Sequence, residues 1–498
     1  MRTKRRGVLC FLGAALWIAV FAVRENYAAP GAQTTSSSSE AMSNYAQGNK
    51  KLNAGDFAAA VPLFQKAIEL DKNFAMAYMA LGLAYRNLKQ YGLGNENLQK
   101  AYELSDRVSA KEKIMITANY HSLDTGDLDK AVEAYKRWAE NYTKDYVPHN
   151  NLGVIYGHLG QYDKQRDEFL EADRLNPDSA LVHANLVSAY SHLYLLAEAK
   201  KAYERSLTPK LESPKLHYYF YGVAFLEGDA GEMERQAVWS AGRPNADDLL
   251  LSPESDTEAF SGQLTKAREL SRRASESAQQ VGEKEAAVGR EMNAALREAE
   301  FGNAAQARKQ IESALALDSS LDTQILAALT FARAGDSERA QKMADELERQ
   351  NPSNTTINEY WLPTIRAAIA LNQRNPSKAI EILEKAAPYE LGEPDPAPEV
   401  GGFLYPVYVR GKAYLALGQG AAAVAEFEKF VEHRGVAMNC PLGALSHLGL
   451  ARAYAMKGEP ARAKAEYENF FAMWKQADSD IPILKEAMAD FLKMEKGK

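Results

Sequence analysis

Cysteine is almost missing from this chain: of 498 residues, only Cys10 and Cys440 carry a thiol. Cys10 sits inside an apolar N-terminal run, so the remainder holds one cysteine and cannot close an intramolecular disulfide. Cys10 also precedes most of that run, whereas a lipid-bearing cysteine follows its apolar segment. An excess of positive charge is absent as well. The formal net charge is −7, and residues 1–32 hold five Lys or Arg against one Glu, which leaves the rest at −11. That balance excludes nucleic acid as the main partner. No H-E-x-x-H, C-x-x-C or G-x-S-x-G occurs, so the motifs supply no catalytic residue, no metal site and no cofactor. What is present is ordinary globular material, 46% hydrophobic and 25% charged, sufficient for a large core.

Residues 1–32 form a separate object. Arg2, Lys4, Arg5 and Arg6 precede a 17-residue uncharged run, residues 7–23. A signal core usually has roughly 7–15 residues and a spanning helix about 20, so the run fits an export signal cleaved near AAPGAQ or an uncleaved membrane anchor. In both readings the basic flank keeps the N-terminus cytoplasmic and puts everything after Arg24 outside the cytoplasmic membrane. The expected location is the bacterial cell envelope, on the periplasmic side. Residues 33–40, with Ser36, Ser37, Ser38 and Ser39, read as a polar tether.

Residues 146–179, YVPHNNLGVIYGHLGQYDKQRDEFLEADRLNPDS, set the phase for the rest. They read as two amphipathic helices, the first carrying Leu152, Gly153 and Tyr156 and stopping at Gly160, the second carrying Phe169 and Ala172 and ending before Pro177. Small residues let two helix axes approach to roughly 8–10 Å, and large ones fill the grooves beside the crossing. This spacing resembles the tetratricopeptide repeat, a helix-turn-helix unit of about 34 residues. Gln165 departs from it, standing where a small residue is usual. The resemblance implies an all-α, right-handed superhelical solenoid, because one unit cannot bury both its faces alone.

About twelve units can be placed. Residues 41–245 read as an N-terminal array in which Trp138 occupies a usual small position and predicts a local change of packing. Residues 246–387 carry central divergent repeats, with residues 238–253 irregular in composition around Gly242, Pro244 and Pro253. Residues 388–402, rich in proline and acid, read as an extended loop. Residues 403–474 hold the C-terminal repeats, and residues 475–498 a capping helix and tail.

The segments YWLPTIRAAIAL, residues 405–435 and DIPILKEA are similar to the repeat region that acidobacterial membrane Ser/Thr kinases carry after their kinase domain. Here no Gly-rich phosphate loop, H-R-D or D-F-G occurs, and His433-Arg434-Gly435 is not a catalytic loop. The resemblance therefore implies a stand-alone sensor or scaffold half, not a phosphotransferase.

Histidine invites a metal reading, since His149, His183 and His217 are spaced by 34, as are His158 and His192. Equal phase in successive repeats places them about one helix spacing apart, roughly 10 Å, too far to share one ion. The concave face is the better functional surface. Counting along the first helices puts Asn150, Asn151, His158, Asn185, Ser188 and His192 on it, and Tyr218 and Tyr219 add aromatic contacts. A side-chain amide both donates and accepts, so Asn151 and Asn185 could hold the backbone of an extended peptide. The chain is thus expected to be a non-enzymatic scaffold or adaptor binding a protein or peptide. Its alternative is an extracytoplasmic ligand-sensing module working with a separate Ser/Thr kinase.

Overall fold

Helices follow the apolar periodicity and come in pairs. The computed structural model describes residues 36–88, 90–243, 246–394 and 404–496. The N-terminal segment read as signal or anchor lies outside these, as does most of the Pro/acidic loop. Among the described residues, no helix is long and apolar enough to cross a membrane.

Twelve antiparallel pairs run from Ser39–Asn53 with Phe57–Leu70 to Pro441–Lys457 with Pro460–Met473, and helix Pro482–Lys496 covers the last. The protein is an all-α, right-handed superhelical solenoid with a C-terminal capping helix. In the fourth pair, Val147–His158 and Tyr162–Leu175, the Phe169 ring occupies the space a Cβ on Gly153 would need. Small against large at the crossing is the device read from the sequence. Helix starts are set locally: Asp56, Asp127, Ser179, Ser213 and Asp336 each accept a backbone N–H three residues on. Each such cap stabilises its helix by about 1 kcal/mol.

Two units depart from the pattern. In the third, helix Ala110–Asn119 runs into a π-helical turn, Tyr120–Thr125, and the fully buried Trp138 donates its Nε1–H to Asp145 at 3.1 Å. A bulky residue at a small position is thus accommodated by changing the facing helix. In the seventh, the stretch of irregular composition ending at Pro253 runs into a helix, Asp247–Phe260, that carries the proline inside it. Buried Leu250, Leu251 and Ala259 flank the proline and hold the helix through it, and the Pro253 carbonyl accepts from Asn439 Nδ2 at 2.8 Å.

The superhelix closes on itself. A helix C-terminus leaves carbonyls without an intrahelical partner, and here the next superhelical turn supplies donors. Thr355 N–H reaches Gly126 O at 2.9 Å, Glu393 N–H reaches Gly157 O at 3.1 Å, Asp478 N–H reaches Gly262 O at 3.0 Å, and Ile483 N–H reaches Phe301 O at 3.2 Å. Gly435 packs on the Ser191 carbonyl, where a Cβ would overlap it. These five points fall at the ends of the first helices of repeats three, four, five, seven and eight. The concave face is therefore the wall of a channel lined on its far side by the same chain.

Candidate functional site

Four first helices build the wall where the groove was expected: Val147–His158, Ala180–His192, Pro214–Glu227 and, above them, Ala110–Asn119. Asn150, Asn151, Asn185, Ser188 and His192 are all buried, whereas His158, Tyr218 and Tyr219 are half-buried.

The asparagines form a chain of amides. Asn185 Nδ2 donates to Asn150 Oδ1 at 3.0 Å, Asn150 Nδ2 to Asn151 Oδ1 at 3.2 Å, and Asn151 Nδ2 to the Tyr135 hydroxyl at 3.0 Å. Donor and acceptor in one group let the series run on without a break. It stitches repeats three, four and five together. The expectation that Asn151 and Asn185 offer free amides to a partner is thus corrected: both are 2% exposed and partnered within the chain. Replacing them tests stability rather than binding.

The two groove histidines do meet a peptide segment, one supplied by the chain itself. Where an extended loop was expected, a 3-10 helix, Ala387–Tyr389, leads into a turn at Leu391 and a bend at Gly392, closed by Gly392 N–H on the Tyr389 carbonyl at 2.8 Å. Residues 391–393 lie along the ends of the first helices of repeats four and five. His158 Nδ1–H donates to the Glu393 carbonyl at 2.7 Å, and the Tyr162 hydroxyl donates to the Leu391 carbonyl. The Glu393 carboxylate enters the channel, where Oε1 lies 3.0 Å from His192 Nδ1 and 3.4 Å from Gln165 Nε2. His192 Nδ1 also faces Gln165 Oε1 at 3.2 Å, so one N–H is shared between two acceptors. Burial lowers the His192 pKa, and the Glu393 charge only partly opposes this. Lys215 lines the same space with its ammonium 5.3 Å from the centre of the Tyr219 ring. Burial lowers the Lys215 pKa to about 8 against the pull of Glu393. The Tyr218 and Tyr219 rings meet edge to face at 5.3 Å, and burial raises both phenol pKa values.

Beside this segment a cleft of about 170 Å³ opens between the two superhelical turns. Arg86, Asn87, Asn95, Asn151 and His158 line one wall, and Asp322, Asn351 and Asn354 the other. Tyr162, Gln165 and Lys215 are the site residues that sequence reasoning missed. Gln165 carried a signal, its departure from the small-residue rule; Tyr162 and Lys215 carried none. His149, His183 and His217 each bond the second helix of their own repeat, and His183 also reaches back to Asp173 at 3.1 Å. His149 bonds Glu168 at 2.7 Å, His183 bonds Ser206 Oγ at 2.8 Å, and His217 bonds Gln236 at 2.6 Å while stacking on Trp239. Among the described residues no three metal-ligating side chains come together.

The tetratricopeptide repeat family profile matches residues 45–104, 148–179 and 408–469. These segments are tetratricopeptide repeats. Such repeats generally mediate protein–protein interaction. Among curated proteins, the chain is 29% identical over 175 residues to Superkiller protein 3 of Schizosaccharomyces pombe, covering 34% of this chain and 12% of that one. It is 30% identical over 110 residues to the BBSome complex member BBS4 of Bos taurus, covering 22% and 20%. The chain thus spans at most a fifth of the length of these relatives. The solved human IFIT1 dimer with m7Gppp-AAAA is similar over 86% of this chain and 90% of its own, with 13% identity and a TM-score of 0.40.

Proposed function

We propose that this protein is a non-enzymatic scaffold or adaptor of the bacterial cell envelope, whose concave face binds an extended protein segment. The observation that carries the reading is the seating of residues 391–393 against His158, Tyr162 and His192, which bond to backbone and carboxylate as a peptide-binding wall must. The envelope placement is supported by Arg2, Lys4, Arg5 and Arg6 ahead of the uncharged run. A photo-crosslinking residue at Asn87, which lines the cleft, is expected to capture a protein partner in the native envelope. The same residue at the exposed Leu170 is expected to capture none. Equal adducts at both positions, or none at Asn87, contradict the groove assignment, and recovery of the chain in the soluble cytoplasmic fraction contradicts the location.

A second reading is favoured by the polar cleft itself. The amide and basic side chains around about 170 Å³ suit a small polar ligand, sensed on behalf of a separate Ser/Thr kinase. A polar cell-wall fragment that raises the melting temperature in proportion to its concentration supports it, and no shift at saturating fragment removes it.

A further inference from the structure

The seam contacts of the superhelix are not alike. At Thr355, Gly435, Asp478 and Ile483 the touching residue lies in a short loop or at a helix end. The contact at residues 391–394 comes instead from the long connection between helices Pro376–Leu383 and Tyr405–Ala416. Both Asp478 and Glu393 send a carboxylate across the seam, but that of Asp478 accepts from the Thr265 backbone N–H at 2.6 Å, whereas that of Glu393 meets the side chains of His192 and Gln165.

Three kinds of recognition converge on these residues. The backbone is read at both polarities, by the Gly157 carbonyl accepting from Glu393 N–H and by His158 and Tyr162 donating to the carbonyls of Glu393 and Leu391. The side-chain size is read at Gly392, where a Cβ would overlap the His158 carbonyl oxygen. The charge is read at Glu393 by His192 and Gln165, with the Lys215 ammonium in the same space. Upstream, Glu390 is held separately by Arg410 and by Lys429 at 2.7 Å.

We infer that residues 391–394 are a built-in ligand holding this groove shut, and that the partner they imitate is a turn-forming segment with glycine followed by glutamate or aspartate. The inference rests on reading the concave face as a peptide site. A groove that is free in only a fraction of molecules binds an outside peptide more weakly by that fraction. A segment seated more than about 90% of the time therefore weakens apparent affinity at least tenfold.

The test titrates a fluorescent, end-capped peptide PYELGEP, residues 388–394, into the full-length protein and its Gly392→Val variant. Circular dichroism reports that the variant is folded. The variant is expected to bind the peptide at least about tenfold more tightly than the wild type. The peptide with Gln in place of its second Glu is expected to lose most of that gain. Equal binding by the two proteins, or no binding by either, overturns the inference. If Gly392→Val does not fold, Glu393→Gln, which keeps side-chain shape, takes its place, with tighter binding than wild type expected and unchanged binding overturning the proposal. Loss of peptide binding with crosslinks retained at Asn87 sinks the built-in ligand alone. Loss of both sinks the groove reading as well.

Discussion

The same glycine turn ends the first helix in both the closed and the open part of the solenoid, yet it faces different surroundings. A Cβ on Gly262 would meet Ala477 Cβ at 2.6 Å and the Trp474 ring, and one on Gly302 would meet Pro482 at 2.8 Å. One on Gly335, Gly418 or Gly458 would meet nothing within 4 Å. The repeat code is therefore indifferent to whether its turns are covered. Covering is decided by segments outside the repeat, namely the loop at residues 351–356, the residues 391–394, the short helix Arg434–Ala437 and the approach to the last helix.

The largest break in this comparison is expected at ion pairs. In the closed part Arg297 and Asp256 pair at 2.7 Å with side chains 2% and 1% exposed, and Arg297 also reaches Ser271. Arg297→Met strands a buried carboxylate and is expected to cost about 3–5 kcal/mol. In the open part Arg462 and Glu459 pair at 3.2 Å with 57% and 31% exposure, and Arg462→Met is expected to cost under about 1 kcal/mol. Thermal melting of the two variants checks the contrast, and similar shifts break it. Next come the turns. Gly262→Ala and Gly418→Ala impose the same backbone cost, since both glycines have φ near +72°. Only the first overlaps a neighbour, which adds about 1–3 kcal/mol. Hydrogen exchange of helix Pro482–Lys496 is expected to quicken in Gly262→Ala alone.

Asn150→Ala follows, because it leaves the Asn185 amide without its acceptor at an expected cost of about 1–3 kcal/mol. Asn97, half-buried and bonded to the Leu93 carbonyl of its own helix, is expected to be near neutral on the same change. The smallest effect is electrostatic. Burial raises the Glu254 pKa from 4.5 to about 7. The folded state thus holds the proton more firmly than the unfolded one, and stability present below pH 4.5 is lost as pH rises to about 7. Glu254→Gln is expected to flatten that part of the pH profile relative to wild type, and parallel profiles contradict the burial argument.

Most of the fold was legible because packing repeats. Leu152, Gly153, Tyr156 and Phe169 recur in phase, so weaker units could be counted from one clear one. The closure was not legible, because it is made once per site by residues with no periodic signature, such as Thr355, Glu393 and Asp478. The site suffered from the same limit. Positions counted along the first helices picked out His158 and His192, but the residue they meet lies 201 residues or more away in sequence, at Glu393. The amides of Asn151 and Asn185 were read as open because a helix-wheel position says which way a side chain points and nothing about what stands opposite. The irregular composition of residues 238–253 did not show a helix for a related reason: the local cost of Pro253 is real, and buried Leu250 and Leu251 outweigh it.

Hydrogen exchange at Gly392 and Glu393 tests the closed channel most directly. With the Glu393 N–H bonded to the Gly157 carbonyl and that of Gly392 to Tyr389, both amides are expected to exchange at least about tenfold more slowly than in a free peptide. Exchange at the free-peptide rate, with the flanking helices still protected, would contradict the closure.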